Sequence, residues 1–428
     1  VNIAIDPSGA VAFEVPVPGS KSLTNRALIA AAHAVGTSRI TNASFSDDSR
    51  ILSSSLDHLG IPVVTLEKEN AIVVHGPGVE KRETSGRFSM GNAGTAVRFF
   101  TSFLCTGRGS YVVDGDERMR ERPIGELVEA LRPLGAEIRY GKKPGCPPLH
   151  IQAHGLRGGK AVLGGETSSQ FISSLLLSAP GADGDVEIEV RGDPASKPYI
   201  EITIDVMRAM GATVERRGYS WFRVAGGTRY TAGEVAVEAD GASANYFLAM
   251  AAATRGRARV RGIGSTSHQG EVQFVKILER MGCETEMGPD WIEVKGGALR
   301  GVDVDMNDCP DSVQTLACVA LFAKGGTRVR NVGNLRVKET DRIAALGTEL
   351  AKLGAKVKEE ADGFTMVPPS QFKPAVIDTY RDHRMAMSFA VAAMAAPGVV
   401  IRDPECVSKS FPRFFETLEA LGTRIRRV

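Results

Sequence analysis

The chain has 428 residues, 43% of them hydrophobic, and its 52 basic and 50 acidic side chains leave a net charge of +2. That balance supplies no global field to draw nucleic acid or a membrane surface, and no apolar run approaches the length of a membrane-spanning helix. The expectation is a globular protein of two or more domains in which any anion site is built locally.

The first elements in chain order are a helix-like, nearly all-apolar stretch NRALIAAAHAVG, a β-type run TSRITN, and a second helical segment closed by Leu59-Gly60 before IPVV. The same succession returns five times. TAVRFFTSFLCTG is followed by SYVVDG, with Leu134-Gly135 closing the next helix, and SQFISSLLLSAPGADG by DVEIEV, with Met210-Gly211. In the second half ANYFLAMAAATRG, SVQTLACVALFAKGG and RMAMSFAVAAMAAPG each lead into a β run, and the closing pairs are Met281-Gly282, Leu353-Gly354 and Leu421-Gly422. A helix without a polar face belongs inside a domain, whereas segments such as YIEITIDVMRAM show the spacing of an amphipathic helix that can face water. Each pair-ending glycine stands where a helix C-cap wants a positive φ. Six units at near-even spacing predict an α/β fold with two domains of three units each, the buried helices wrapped by sheets.

The segments that open the buried helices differ from one another, as scaffold repeats would not: GSKSLTNR, GNAGTAVR, GETSSQ, ADGASANY, DCPDSVQ and YRDHRM. Their Ser, Thr, Asn and Asp are explained as N-caps. Lys21, Arg26 and Arg384 are not, because a cation near a helix N-terminus opposes the dipole and calls for an anion opposite. The Gly91-Asn92-Ala93-Gly94-Thr95 turn lets backbone N–H groups approach an anion, and Thr167, Ser168, Ser169 and Gln170 offer hydroxyls and an amide. Arg118, Arg120, Arg122, Lys197 and Lys409 lie in neighbouring loops. In KETDR, Lys338, Glu339 and Arg342 combine anion ligands with a proton-transferring carboxylate, and Asp311 reads either as an N-cap or as a base brought to a substrate hydroxyl. GSKS lacks the glycine that a P-loop requires, and no zinc, calcium or dinucleotide fingerprint is present. The cysteines, Cys105, Cys146, Cys283, Cys309, Cys318 and Cys406, have no C-x-x-C spacing and read as reduced structural thiols. With no signal- or transit-like opening in VNIAIDPSGAVAFEV, a cytoplasmic location is expected.

Taken in order, GSKSLTNRAL, GNAGTAVR, DERMRERPI, SSQFISSLL, SKPYIEIT, RVKETDRI, DHRMAM and SKSFP resemble the 5-enolpyruvylshikimate-3-phosphate (EPSP) synthase family over almost the whole chain. The resemblance implies a two-domain inside-out α/β barrel of six βαβαββ units with a cleft between the domains. It also implies a first domain at 21–236, a second at 1–20 plus 237–428, two crossover hinges, and an open-to-closed movement. The implied reaction transfers the enolpyruvyl group of phosphoenolpyruvate to the 5-hydroxyl of shikimate 3-phosphate by addition and elimination, in a monomer without metal or organic cofactor. On the matching positions Ser22, Arg26, Ser168, Ser169, Ser196, Asn334 and Lys338 resemble shikimate 3-phosphate ligands, with Asp311 also on that substrate and Lys21 and Gln170 serving both. Gly94, Arg122, Arg342, Arg384 and Lys409 resemble phosphoenolpyruvate contacts. Asp311 resembles the base, and Glu339, assisted by Lys21, the acid. Two residues depart from the family pattern: Phe99 stands where Pro is common and Ala242 where Ser is frequent. Neither removes a chemical group, but Phe99 shares its helix with Gly94 and Thr95, so the resemblance does not extend to inhibition by phosphoenolpyruvate mimics such as glyphosate. The alternatives are the related transferase acting on UDP-N-acetylglucosamine, disfavoured because DERMRERP lacks that family's reactive Cys, and an inactive binding module, which would have no need of Lys21, Asp311, Glu339, Arg342 and Lys409 together.

Overall fold

The structure is a computed structural model and describes residues 2–77, 83–166 and 168–428. It divides into two compact units, Gly19–Val237 and Val1–Pro18 with Glu238–Val428. Each has its own continuous apolar core.

Among the described residues the strands form six four-stranded sheets that share one plan. Glu83–Ser89 runs parallel to Arg108–Asp114, which pairs antiparallel with Leu149–His154, which in turn pairs with Glu137–Tyr140. Gly159–Gly164, Val186–Arg191, Trp221–Val224 and Val214–Arg217 repeat that order, as do Asp303–Asp305, Thr327–Arg330, Gly363–Val367 and Lys356–Glu360. The parallel pair needs a crossover, and the buried helix supplies it. Three sheets recruit a strand from elsewhere in the chain. Glu234–Ala236 completes the sheet of Val35–Thr41, Ala12–Pro16 lies beside Arg257–Arg261, and Asn2–Ile5 is inserted between Val399–Arg402 and Ile425–Arg427. Among the described residues each unit therefore holds three of these sheets and a core of buried helices, as the six-unit reading expects.

Twelve α-helices follow in order among the described residues: α1 (Lys21–His33), α2 (Asp47–His58), α3 (Gly94–Thr106), α4 (Gly125–Leu131), α5 (Ser169–Ser178), α6 (Pro198–Ala209), α7 (Gly241–Thr254), α8 (Phe274–Met281), α9 (Val313–Ala320), α10 (Arg342–Lys352), α11 (His383–Ala395) and α12 (Phe414–Ala420). The odd-numbered helices are the apolar ones; every residue of α3 is buried, and α7 and α11 are nearly so. Each buried Leu, Ile or Phe on them contributes about 1.5–3 kcal/mol, which is why a sequence this rich in small and apolar residues is driven inside. Five of the even-numbered helices end at the predicted Leu/Met-Gly pairs, α4 stops at Leu131 and reaches Leu134-Gly135 through a turn, and all six of those glycines have positive φ, from 82° at Gly211 to 109° at Gly282. At Gly60 the left-handed turn lets its N–H reach Asp57 O at 2.9 Å and that of Ile61 reach Leu56 O at 3.0 Å, so the chain reverses directly into the next strand. No described helix is long and apolar enough to cross a membrane.

Candidate active site

In the Gly19–Val237 unit most of the candidate side chains lie at or near the starts of α1, α3 and α5. Ser20 caps α1 by accepting from Leu23 N, and Lys21 follows as its first residue. The anion that the helix dipole demands opposite Lys21 is supplied by the protein: Asp48, in the first turn of α2, accepts from Lys21 Nζ at 3.0 Å. Ser22 comes next, and its carbonyl accepts from Arg26 Nη1 at 2.8 Å. Arg26 is 1% exposed. It donates further to Thr203 Oγ1 at 2.7 Å, Ser173 Oγ at 3.3 Å and Tyr199 O at 3.0 Å, and lies 5.1 Å from the centroid of Phe99. It therefore ties α1 to α5 and α6 as well as offering positive charge.

Unlike α1, α3 has Ala93 at its N-cap and so no capping side chain, leaving its first N–H groups without that partner. Glycine at its first residue leaves room for Arg122: a Cβ on Gly94 would stand 2.4 Å from Arg122 Nη2 and push that guanidinium aside. The buried Arg122 guanidinium rests on that bare Cα and donates from Nη1 to Asn92 O and Oδ1 at 2.9 and 2.8 Å. Arg98, one turn further along α3, donates to Gln170 Oε1 at 2.6 Å and to Pro123 O at 2.9 Å, which fixes the amide at the start of α5. Ser168 caps α5 through Gln170 N, and Ser169 is buried beside it. Thr167 lies outside the described residues. Ser196 is buried at φ 57°, a backbone region that non-glycine residues adopt rarely and chiefly where function or a turn demands it.

In the other unit the centre is Asp311. It does not cap α9, whose preceding residue Ser312 makes no capping bond either. The carboxylate instead accepts from Arg342 Nη1 at 3.1 Å and Arg384 Nη2 at 2.6 Å. Burial opposes its charge, but Arg384, Arg342 and Lys338 outweigh that and hold its carboxyl well below the usual carboxylate range. Arg342, 1% exposed at the start of α10, spends its remaining donors on Glu339 Oε2 at 2.8 Å and on Asp382, with Nε 2.7 Å from Oδ2 and Nη2 3.2 Å from Oδ1. Asp382, fully buried, also caps α11 by accepting from Arg384 N at 2.9 Å. Arg384 donates to Tyr246 Oη of α7 at 3.3 Å, and burial pushes that phenol up to about 12. Lys409 Nζ stands 3.9 Å from Glu339 Oε1. Asn334 lies in the single turn Gly333–Val337, with half-buried Lys338 directly after it.

One carboxylate, Asp311, is thus shared by two guanidiniums, and a second, Glu339, sits on one of those same guanidiniums. The family model for EPSP synthase (3-phosphoshikimate 1-carboxyvinyltransferase) matches residues 5–418. The chain belongs to the EPSP synthase family. The 3-phosphoshikimate 1-carboxyvinyltransferase of Sulfurovum sp. (strain NBC37-1) is 48% identical over 425 residues, covering 99% of each chain, and that of Aeromonas salmonicida (strain A449) is 46% identical over 426 residues, covering 99% of this chain and 100% of the relative. Two solved structures of EPSP synthase from Acinetobacter baumannii match over 100% of both chains, with TM-scores of 0.82 and 0.83 at 26% and 25% identity.

Against this EPSP synthase framework, the sequence-predicted residues fall into two groups. Lys21, Ser22, Arg26, Gly94, Arg122, Ser168, Ser169, Gln170 and Ser196 belong to the first unit, and Asp311, Asn334, Lys338, Glu339, Arg342, Arg384 and Lys409 to the second. The structure adds Asp48, Asn92, Arg98, Tyr199, Tyr246 and Asp382, each bonded to one of them. Arg98, Asn92, Tyr246 and Asp382 sat inside the helix-opening segments already singled out, as Tyr199 sat in SKPY. Nothing near Asp48 in the sequence signals its role.

Proposed function

We infer that the chain transfers the enolpyruvyl group of phosphoenolpyruvate to shikimate 3-phosphate and releases phosphate. The observation that carries this reading is the arrangement of Asp311 and Glu339 on Arg342: two carboxylates, one to serve as base and the other as acid, paired with a cation that an incoming anion can claim. In the proposed first step the 5-hydroxyl attacks C2 of phosphoenolpyruvate, its proton passes to Asp311, and C3 takes a proton from Glu339 with the assistance of Lys21. The tetrahedral intermediate then collapses: phosphate leaves C2 with the proton held on Asp311, C3 returns its proton to Glu339, and the C2–C3 double bond is restored in the product.

Arg122, Arg342, Arg384 and Lys409, with the amides at Gly94, serve phosphoenolpyruvate. Ser22, Arg26, Ser168, Ser169, Ser196, Asn334 and Lys338 serve shikimate 3-phosphate, with Lys21 and Gln170 shared. The tight pairing of Asp311 has a mechanistic consequence. With both arginines on it, Asp311 is a weak base; when phosphoenolpyruvate claims Arg342 and Arg384, part of that cationic field is neutralised and the proton affinity of Asp311 rises. The base is thus strengthened by the arrival of the second reactant.

The test is phosphate release from phosphoenolpyruvate with shikimate 3-phosphate or with UDP-N-acetylglucosamine, by the wild type and by Lys21→Ala, Asp311→Ala and Glu339→Ala. Release with shikimate 3-phosphate alone, reduced about 10²–10⁴-fold in the variants, is expected. Release with the sugar nucleotide would overturn the acceptor, and wild-type rates in all three variants would overturn the residue roles.

A further inference from the structure

Two consecutive non-glycine residues, Tyr380 and Arg381, have φ of 55° and 56°. Left-handed backbone is disfavoured for residues with a side chain, and two in succession persist only where the surroundings impose them. The turn lies between the strand Ala375–Ile377 and α11, closed by Asp382 N donating to Thr379 O at 2.8 Å. Its exit is Asp382, followed within two residues by Arg384, so its shape decides where both side chains point.

What imposes it comes from α10. Glu349 has a fully buried side chain, accepts from Tyr380 Oη at 2.7 Å through Oε1 and from Asp378 N at 3.0 Å through Oε2, and pairs with Lys352 Nζ at 2.7 Å. Lys352 in turn holds the Asp378 carboxylate at 2.9 Å. Glu349 stands seven residues after Arg342, two turns along one face and roughly 10 Å away. The helix therefore grips the segment 378–384 at two points: Arg342 on Asp382 after the turn, Glu349 on Asp378 and Tyr380 before and within it. A buried carboxylate so far from the reacting groups has no proton-transfer role in the proposed reaction.

We propose that Glu349, acting through Tyr380 and Asp378, is a positioning residue for the transfer: it holds the left-handed turn that aims Asp382 and Arg384 at Arg342 and Asp311. The inference rests on the reading of Arg384 as a phosphoenolpyruvate contact. Tyr380 is 41% exposed, so Tyr380→Phe removes the hydroxyl without opening a cavity in the core.

The experiment compares full-length Tyr380→Phe, Glu349→Gln, Glu349→Ala and Arg384→Ala for KM of each substrate, kcat and thermal unfolding midpoint. Expected is a rise in KM for phosphoenolpyruvate of about three- to tenfold in Y380F and E349Q, the scale of one lost hydrogen bond. E349A should be worse than E349Q, which keeps one acceptor, and KM for shikimate 3-phosphate should stay within about twofold. Arg384→Ala should raise KM for phosphoenolpyruvate further. Lower unfolding midpoints with unchanged KM in Y380F and E349Q, beside a raised KM in R384A, would overturn the positioning role and leave the site reading intact. Unchanged KM for phosphoenolpyruvate in R384A would overturn both.

Discussion

His33, in the last turn of α1, is buried with its Nε2 unpartnered, its ring 4.6 Å from that of Phe103 and 6.2 Å from that of Tyr230. Burial lowers its pKa from 6.5 to about 4, so it is neutral in the folded protein at pH 5, where an unfolded chain would protonate it. Because the folded value is the lower one, the unfolded state binds more protons between these two values, and stability must fall as pH drops through that window. For a single group with those values the loss is about 2 kcal/mol between pH 7 and pH 5 and about 3 kcal/mol by pH 4. The chain has two tryptophans, Trp221 in the same unit as His33 and Trp291 in the other, so a Trp291→Phe background leaves fluorescence that reports the Gly19–Val237 unit. Urea unfolding in that background at pH 7 and pH 5 is compared for His33 and His33→Leu. Carboxylates titrate equally in both chains, so the difference between their pH dependences isolates the histidine. Equal losses in the two would refute the buried neutral imidazole.

Asp382→Asn keeps the cap on Arg384 but turns a donor toward Arg342 Nε. Because breaking a buried pair costs about 3–5 kcal/mol, the variant should unfold at clearly lower urea and lose kcat/KM for phosphoenolpyruvate, which equilibrium unfolding and steady-state kinetics would check. Gly94→Ala places a methyl group into Arg122, and KM for phosphoenolpyruvate is expected to rise about tenfold, the size of one charge-assisted contact, with shikimate 3-phosphate little affected. Asp48→Asn removes the carboxylate that holds Lys21, and kcat should fall by at least about tenfold; an unchanged kcat would show that Lys21 needs no such partner.

The fold was legible in the sequence to an unusual depth because its signals are local. Six Leu/Met-Gly pairs announce positive φ by steric necessity, and six apolar helices announce burial by having no polar face. Strand pairing was not legible. That Asn2–Ile5 belongs between Val399–Arg402 and Ile425–Arg427, and Ala12–Pro16 beside Arg257–Arg261, depends on partners hundreds of residues away, about which the local pattern of a strand is silent.

The site divides in the same manner. Residue types and their order, with the family resemblance they carry, marked out Lys21, Gly94, Arg122, Asp311, Glu339, Arg342 and Arg384 as a set. Only the tertiary structure decided what each one touches. Lys21 rests on Asp48, Gly94 is the seat of Arg122, and Arg26 binds three elements of its own unit together. Asp311, which the sequence left between helix cap and base, is paired with two guanidiniums carried on α10 and α11. Sequence by itself fixes which groups are available and which backbone shapes are allowed, since both are properties of the residue and its neighbours. Their ionisation and aim depend on charges brought together by folding, and that electrostatic environment exists only once the chain is packed.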